Sequence, residues 1–504
     1  MDKWKARDEV SVEVGVYESV SSDSGWWRIL EQEGIPHRTV STPETPIVLF
    51  EESTPPWIEE YLESGGVAVI TDARPQALPF EAGYQGRVVV RSFEFPEAEH
   101  ENIHAPCHAS LFRGDGAGTI RVHRERVTKD GIENGLFPAL LERRCGEGIC
   151  LFTGLPLTGL LTLLGDSLRR LGEHTEITER ITDVDKWKVA EILDHMLGRA
   201  FTLAGLPRVS LSRFPEGARS VFIFRVDVDG TFGDHLRQLR DASLEFGIPT
   251  AFFLNRSLCE GDEELLTTLR APLEVGNHGE VHNLFDDLES NLTNVRRCEE
   301  WLDGLGVEHG PWYAAPRGMW SFALGEALDE LGFEFSSDFG LDTDGLPFFP
   351  RFGGKRLNAL QLPVHAYSPE RASRFAQENG LPGPGPEDVL EYFKQVAKEK
   401  IERSLPAYFY AHPEVFGPMA PTVLGELAAF AREKGIPILS LSEYAAFWRR
   451  RDRVKYAATL NRTKSVVTVS SSLPKDVRLV VNDAVIEAEA EEIHLGRNDS
   501  QISS

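Results

Sequence analysis

Short apolar runs separated by polar, helix-forming stretches dominate this chain. Val12 to Tyr17, Ile47 to Phe50, Val67 to Ile70 and Gly148 to Gly154 are apolar with little alternation, the pattern of strands covered on both faces. Between them, Ser24-Gly-Trp-Trp-Arg-Ile-Leu30 predicts a helix with a serine cap. Pro56 to Ser64 predicts a second helix, stopped by Gly65-Gly66. Asp185 to Leu203 predicts a long amphipathic helix. This βα alternation implies a doubly wound parallel sheet over residues 1–205.

From Ser220 the alternation resumes, with candidate strands at Thr250–Phe253, Leu273–Val275, Trp312–Ala314, Phe333–Ser336, Ala407–Ala411 and Ile438–Leu441. A distorted (β/α) barrel over 206–450 is the expected architecture. Asn379 to Glu387 is a Pro/Gly-rich loop, with Pro386 placed to start the next helix. After Arg451 the period changes to short alternating runs, Ser465 to Ser470, Val477 to Val481 and Val485 to Leu495, broken by turn residues. The tail 451–504 is expected to pack on the barrel as a small β unit, since so short a segment buries little by itself.

Composition narrows the function classes. At 504 residues the chain exceeds one ordinary core. A formal charge of −26 argues against nucleic acid or an anionic membrane surface as partner. Cys107, Cys145, Cys150, Cys259 and Cys298 form an odd set without a C-x-x-C, so neither a disulfide framework nor a zinc finger is expected. The charged N-terminus has no apolar signal core, and no stretch approaches the roughly 20 apolar residues of a membrane span. A cytoplasmic location and no membrane insertion are expected; oligomeric state is not legible.

The chemistry concentrates in two motifs. Phe224-Arg-Val-Asp-Val-Asp-Gly230 ends an apolar run with Asp227 and Asp229 on one side of a strand. Asn277-His-Gly-Glu-Val-His-Asn283 offers His278 and His282 at the i, i+4 relation of a helical turn. One carboxylate and two imidazoles make a three-ligand site for a divalent ion, leaving the second carboxylate to act as a base. That is the equipment of a metal-assisted hydrolase.

The segment Ser220 to Ser257, SVFIFRVDVDGTFGDHLRQLRDASLEFGIPTAFFLNRS, together with EVGNHGEVHN, resembles the polysaccharide deacetylase superfamily of NodB-homology, carbohydrate esterase family 4-like enzymes. The resemblance spans about Ser220 to Trp448. It implies Asp227 as base, Asp229, His278 and His282 as ligands of one divalent ion, with zinc expected, and His412 in Tyr408-Phe-Tyr-Ala-His-Pro413 as general acid. Read without it, His412 is a buried, hydrogen-bonded histidine after an apolar strand.

One motif departs from the family pattern. Ala314 stands where an Arg-x-Pro-x-Gly turn would place the arginine that holds the base, and Arg317 lies three residues on, within reach of that carboxylate or of substrate. A backbone N–H near Arg317 and Gly318 is expected to face the oxyanion. Asp338 is a candidate to orient His412. Trp312, Tyr313 and Trp320 are candidates for stacking on sugar rings, core packing being the alternative. His365 either lines the pocket or is structural.

The order YLESGGVAVITDARP resembles the class I glutamine-amidotransferase-like fold over the first 200 residues, but the turn Thr71-Asp72-Ala73 carries no thiol. This domain is expected to be non-catalytic, with Cys107 serving packing. The function expected is removal of an acyl group, acetyl first, from an N-acylated sugar or polysaccharide. The alternatives are a non-catalytic carbohydrate-binding or scaffolding protein, and an amidohydrolase acting on a non-sugar amide or imide.

Overall fold

The computed structural model describes residues 4, 7–123, 134–171, 175–470, 472–486 and 492–495. The chain divides into two compact units. One comprises the described residues of 1–163, 183–212 and 451–504, and the other those of 164–182 and 213–450.

The first unit is built on a seven-stranded sheet. Five strands run parallel in the order His37–Val40, Val14–Tyr17, Ile47–Glu51, Val67–Thr71 and Gly148–Phe152. Leu140–Cys145 and then Gly116–Ala117 add antiparallel at the far edge. Val67–Thr71 and Gly148–Phe152 are buried along their whole length, as their unbroken apolar runs require. The Gly25–Glu33 helix has the expected cap: Ser24 Oγ accepts from the Trp26 amide at 3.1 Å. Lys186–Ala204 is the expected long helix, ended by Gly205 at φ 61°. The doubly wound expectation fails at Tyr84–Phe95 and His100–Phe112, which pair as one long antiparallel hairpin. Cys107 lies on that hairpin, and burial pushes its thiol up to about 12, away from thiolate chemistry.

The tail departs from the expected packing on the barrel. Ala457–Asn461, Val466–Ser470 and Glu492–His494 build an antiparallel sheet on Glu9–Ser11. Leu479–Val481 pairs with Val209–Leu211 and with Ala484–Ile486. Both early strands carry backbone groups that need partners, and the tail supplies them. The boundary expected at 205 falls after Ser212 for the same reason, while the second unit ends at Arg450. The Asp166–Arg170/Thr178–Thr182 hairpin belongs to the second unit, where Arg371 Nε donates to Thr178 O at 3.1 Å.

The second unit is a curled, seven-stranded, all-parallel sheet. Its order is Leu360–Gln361, Phe335–Ser337, Trp312–Ala314, Glu274–Asn277, Ala251–Leu254, Phe222–Val228 and Ala407–Ala411. The His365 amide donates to Tyr408 O at 3.1 Å, linking the two edges by a backbone bond. Ile438 makes only an isolated bridge to Phe222, and the helix Leu441–Asp452 follows at once, so the last expected strand does not form. Pro386 opens the Pro386–Glu402 helix as expected, with Asp388 accepting from the Gly385 amide at 2.8 Å. Among the described residues no helix is long and apolar enough to cross a membrane.

His365 is structural. Its Nδ1 lies 2.8 Å from Asp344 Oδ1 and its Nε2 2.9 Å from Tyr392 OH, while Lys400 Nζ reaches the same Asp344 oxygen at 3.1 Å. Burial would raise Asp344, but His365 and Lys400 outweigh it and hold the carboxyl well below the usual range. A depressed carboxylate stabilises the fold above its unfolded pKa of about 4, and that stability is lost as pH falls below it. Asp344→Ala should therefore cost about 3–5 kcal/mol at neutral pH in urea unfolding, because buried Lys400 and His365 both lose the carboxylate they share. The difference from wild type should shrink below about pH 4.

Candidate metal centre

Asp227, Asp229, His278, His282, Arg317, Asp338 and His412 lie at or just beyond the C-terminal end of a strand of the curled sheet, the end where barrel folds gather their chemistry. Strand alternation sends Arg225, Asp227 and Asp229 to one side of the Phe222–Val228 strand and its exit. Arg225 is fully buried and Asp227 is 3% exposed, whereas Asp229 is half-buried at the cavity.

His278 and His282 leave the Glu274–Asn277 strand in a loop, correcting the expected helical turn. Asparagines hold that loop. Asn255 Nδ2 donates to His278 O at 3.0 Å and Gly279 O at 3.1 Å, Asn277 Oδ1 accepts from the Gly279 amide at 2.7 Å, and Asn294 Oδ1 accepts from the Val281 amide at 2.8 Å. Gly279 has φ +84°, and a Cβ there would meet Asn294 Nδ2 at 2.6 Å, so a larger residue would open the loop. His278 Nδ1 lies 2.7 Å from Ala314 O and acts as donor to it, which leaves Nε2 as the free, buried lone pair.

Ligand atoms of Asp229, His278 and His282 all lie within 4.8 Å of one another. His282 Nε2 is 3.5 Å from Asp229 Oδ2. Burial lowers both imidazoles, His282 to about 4 with His278 adding to the shift. Neutral imidazoles, an orphaned buried nitrogen and a nearby carboxylate together fit a borderline divalent ion such as zinc.

Asp227 is held from an unexpected direction. Arg225 Nη1 is 3.1 Å from Asp227 Oδ1, and the guanidinium packs between Tyr410 and Phe253, 5.1 and 5.6 Å from their ring centres. Arg317 does not reach this carboxylate: it is exposed at the cavity lip with φ +59°. The charge absent at Ala314 thus comes from two residues before Asp227 on its own strand. The signal was the R-x-D-x-D spacing, which puts all three side chains on one face. Arg225→Met should cost about 3–5 kcal/mol in urea unfolding by leaving Asp227 buried without its partner. A loss below 1 kcal/mol would show that the pair contributes nothing net.

His412, beyond the Ala407–Ala411 strand, faces Asp229 with Nε2 at 3.8 Å. Its Nδ1 is 2.9 Å from Glu370 Oε2, at the start of the Pro369–Glu378 helix. Burial opposes the charged ring, but the hydrogen bond to Glu370 and the carboxylates of Asp229 and Asp227 push it up to about 9. The expected orienter, Asp338, is elsewhere. Fully buried, it accepts from the Ala315 amide at 2.7 Å, from Gln361 Nε2 at 3.1 Å and from Ser336 Oγ, and so shapes the turn whose Ala314 carbonyl holds His278. No local pattern in the chain pointed to Glu370, which lies 42 positions before His412 on a different element.

The aromatic assignments also change. Tyr313 and Trp320 belong to a buried core cluster, and Trp312 stacks on Phe335 at 5.8 Å. None of the three lines the cavity; Phe339 and Tyr410 do. Side chains on the Trp312–Ala314 strand and its turn fill the space beneath the helices Leu288–Leu305 and Phe322–Glu330. The Gly318 amide is bonded to Ala315 O at 2.9 Å, so it is not an open oxyanion donor. The cavity encloses about 480 Å³ and gathers Asp227, Asp229, His278, His282, Glu370 and His412 along its wall.

No family model matches the chain, and neither does any curated protein. Solved structures similar to part of it include a protein described as a polysaccharide deacetylase from Mycobacterium smegmatis, with TM-score 0.42 and 19% identity over 47% of this chain and 92% of that one. A chitin deacetylase from the fungal pathogen Colletotrichum lindemuthianum gives 0.32 and 17%, over 46% of this chain and 89% of that one. A family 4 carbohydrate esterase pseudoenzyme from Bacillus anthracis gives 0.32 and 12%, over 45% of this chain and 65% of that one. Likenesses of this size, to an enzyme and to a pseudoenzyme alike, carry no weight on activity; the side-chain geometry has to.

Proposed function

We propose that the second unit is a metal-dependent hydrolase removing an acyl group, acetyl in the first instance, from an N-acylated carbohydrate. The observation that carries this is the convergence of Asp229, His278 and His282 beside an arginine-held Asp227 and a carboxylate-held His412. A divalent ion bound by the three ligands, zinc in this reading, would polarise the acyl oxygen and lower the pKa of water toward about 7.

The chain's own groups do the rest. Asp227, immobilised by Arg225, accepts the water's proton as the acyl carbon is attacked. His412, charged through its contact with Glu370, gives a proton to the departing amine, which is otherwise a very poor leaving group. Water exclusion is partial, since Asp229 and His282 are only half-buried. The first unit is read as a binding or docking module, because its Cys107 thiol is held far from ionisation.

The test is acetate release from N-acetylated oligosaccharides by purified protein, before and after chelation and after re-addition of zinc. Release that stops on chelation and returns with the ion supports the reading. Metal-loaded protein inert toward every N-acyl sugar tried would favour a non-catalytic binding role. Turnover confined to a non-sugar amide or imide would move the substrate class.

A further inference from the structure

The cavity wall holds four arginines, Arg180, Arg317, Arg371 and Arg374, in a chain whose formal charge is −26. Three are tied down on one edge. Arg371 Nε faces Glu179 at 3.5 Å, Arg374 Nη2 faces Glu370 at 2.9 Å, and Arg180 Nε faces Asp166. Arg317 makes no ion pair or hydrogen bond among the described residues. It is presented by a tight turn, where Gly318 (φ +62°) packs against Phe339 so closely that a Cβ would meet that ring at 2.1 Å. The turn is pinned from behind by Gly340 N donating to Gly318 O at 2.7 Å.

The carboxylates on the same wall have other partners. Asp227 faces Arg225, Glu370 faces His412 and Arg374, and Glu179 faces Arg371. Asp229 belongs to the ligand group. Each carboxylate on this wall thus has a partner other than Arg317, which stands at the cavity mouth of an acidic protein with no carboxylate of its own among the described residues. Planar forks with unused N–H donors recognise carboxylate or phosphoryl oxygens two at a time.

We propose that Arg317, backed by the open edges of Arg371 and Arg374, is an anion-binding subsite, and that the substrate is an N-acyl compound carrying a carboxylate or phosphoryl group near the acylated amine. The inference rests on the hydrolase reading for its substrate, but not for its binding site. It separates this cavity from one built for a neutral polymer, where Arg317 would be left without a target.

Two measurements on the full-length, metal-loaded protein test it. The first compares kcat/KM on N-acetylglucosamine, its 6-phosphate and N-acetylmuramic acid. The anionic sugars should be preferred by about ten- to a hundred-fold, the effect of one hydrogen bond to a charged group, and Arg317→Gln should erase that ratio. Preference for one anionic sugar alone assigns the carboxylate or the phosphoryl group. The second measures inorganic phosphate binding by calorimetry, which needs no turnover; Arg317→Gln and Arg371→Gln should each weaken it, and phosphate held by the metal alone would not respond to either. Equal rates on neutral and anionic sugars, or phosphate affinity unchanged in Arg317→Gln, would overturn the proposal. Phosphate binding lost in Arg317→Gln, with no hydrolysis of any sugar, would keep the subsite and sink the hydrolase reading instead.

Discussion

Asp227→Asn should leave the metal in place and remove most of the activity. An amide is nearly isosteric with the carboxylate but does not accept the water's proton, and general-base catalysis contributes about 10²–10⁴-fold. Asp227 is 3% exposed, pairs with Arg225 and stands outside the three-residue ligand group, so its loss should spare occupancy. Turnover on an N-acetyl substrate and metal content of the same preparation decide the matter together. A variant that lost its ion yet kept residual turnover would exchange the roles of Asp227 and Asp229.

The largest change in occupancy is expected from the histidines. His278→Ala removes the buried Nε2 and His282→Ala the half-buried one, each leaving two of three ligand groups. Metal content should fall from one ion per chain toward zero, and catalysis with it. Both variants should still fold, because the loop is held by Asn255, Asn277 and Asn294 rather than by the imidazoles. The wild type should gain about 2.7 kcal/mol of stability from ion supplied at a hundred times its dissociation constant, and the variants should gain almost nothing. Full occupancy in both single variants would reject the ligand set.

What was legible in the chain followed strand periodicity. Asp227, Asp229, His278, His282 and His412 could be singled out because each sits where an apolar run stops, and the curled parallel sheet brings those ends to one cavity. What was missed depends on side chains meeting across the fold. Glu370 reaches His412 from a helix, and Asp338 turns away to the Ala315 amide; neither contact leaves a local pattern. Trp312, Tyr313 and Trp320 were drawn toward substrate by their nearness in sequence to the motifs, yet they fill core beside them. Arg225 is different: its position two before Asp227 is readable from strand alternation alone, although the family pattern places its arginine at 314. The tail misled because alternation identifies a strand but not the edge that receives it.

The placement of Arg225 and Asp227 on one strand bears on how this site comes apart. Residues two apart on a strand keep a spacing of about 6.6 Å set by covalent geometry, whatever the neighbouring loops do. His278 instead depends on the Ala314 carbonyl across the sheet, and His412 on a helix entered through Ser368. Sub-global opening would therefore break the site in a fixed order, His278 and His412 being released while Asp227 and Arg225 stay matched. Hydrogen exchange should report this as early loss of protection at 312–320 and 368–374, with 222–228 the last to yield.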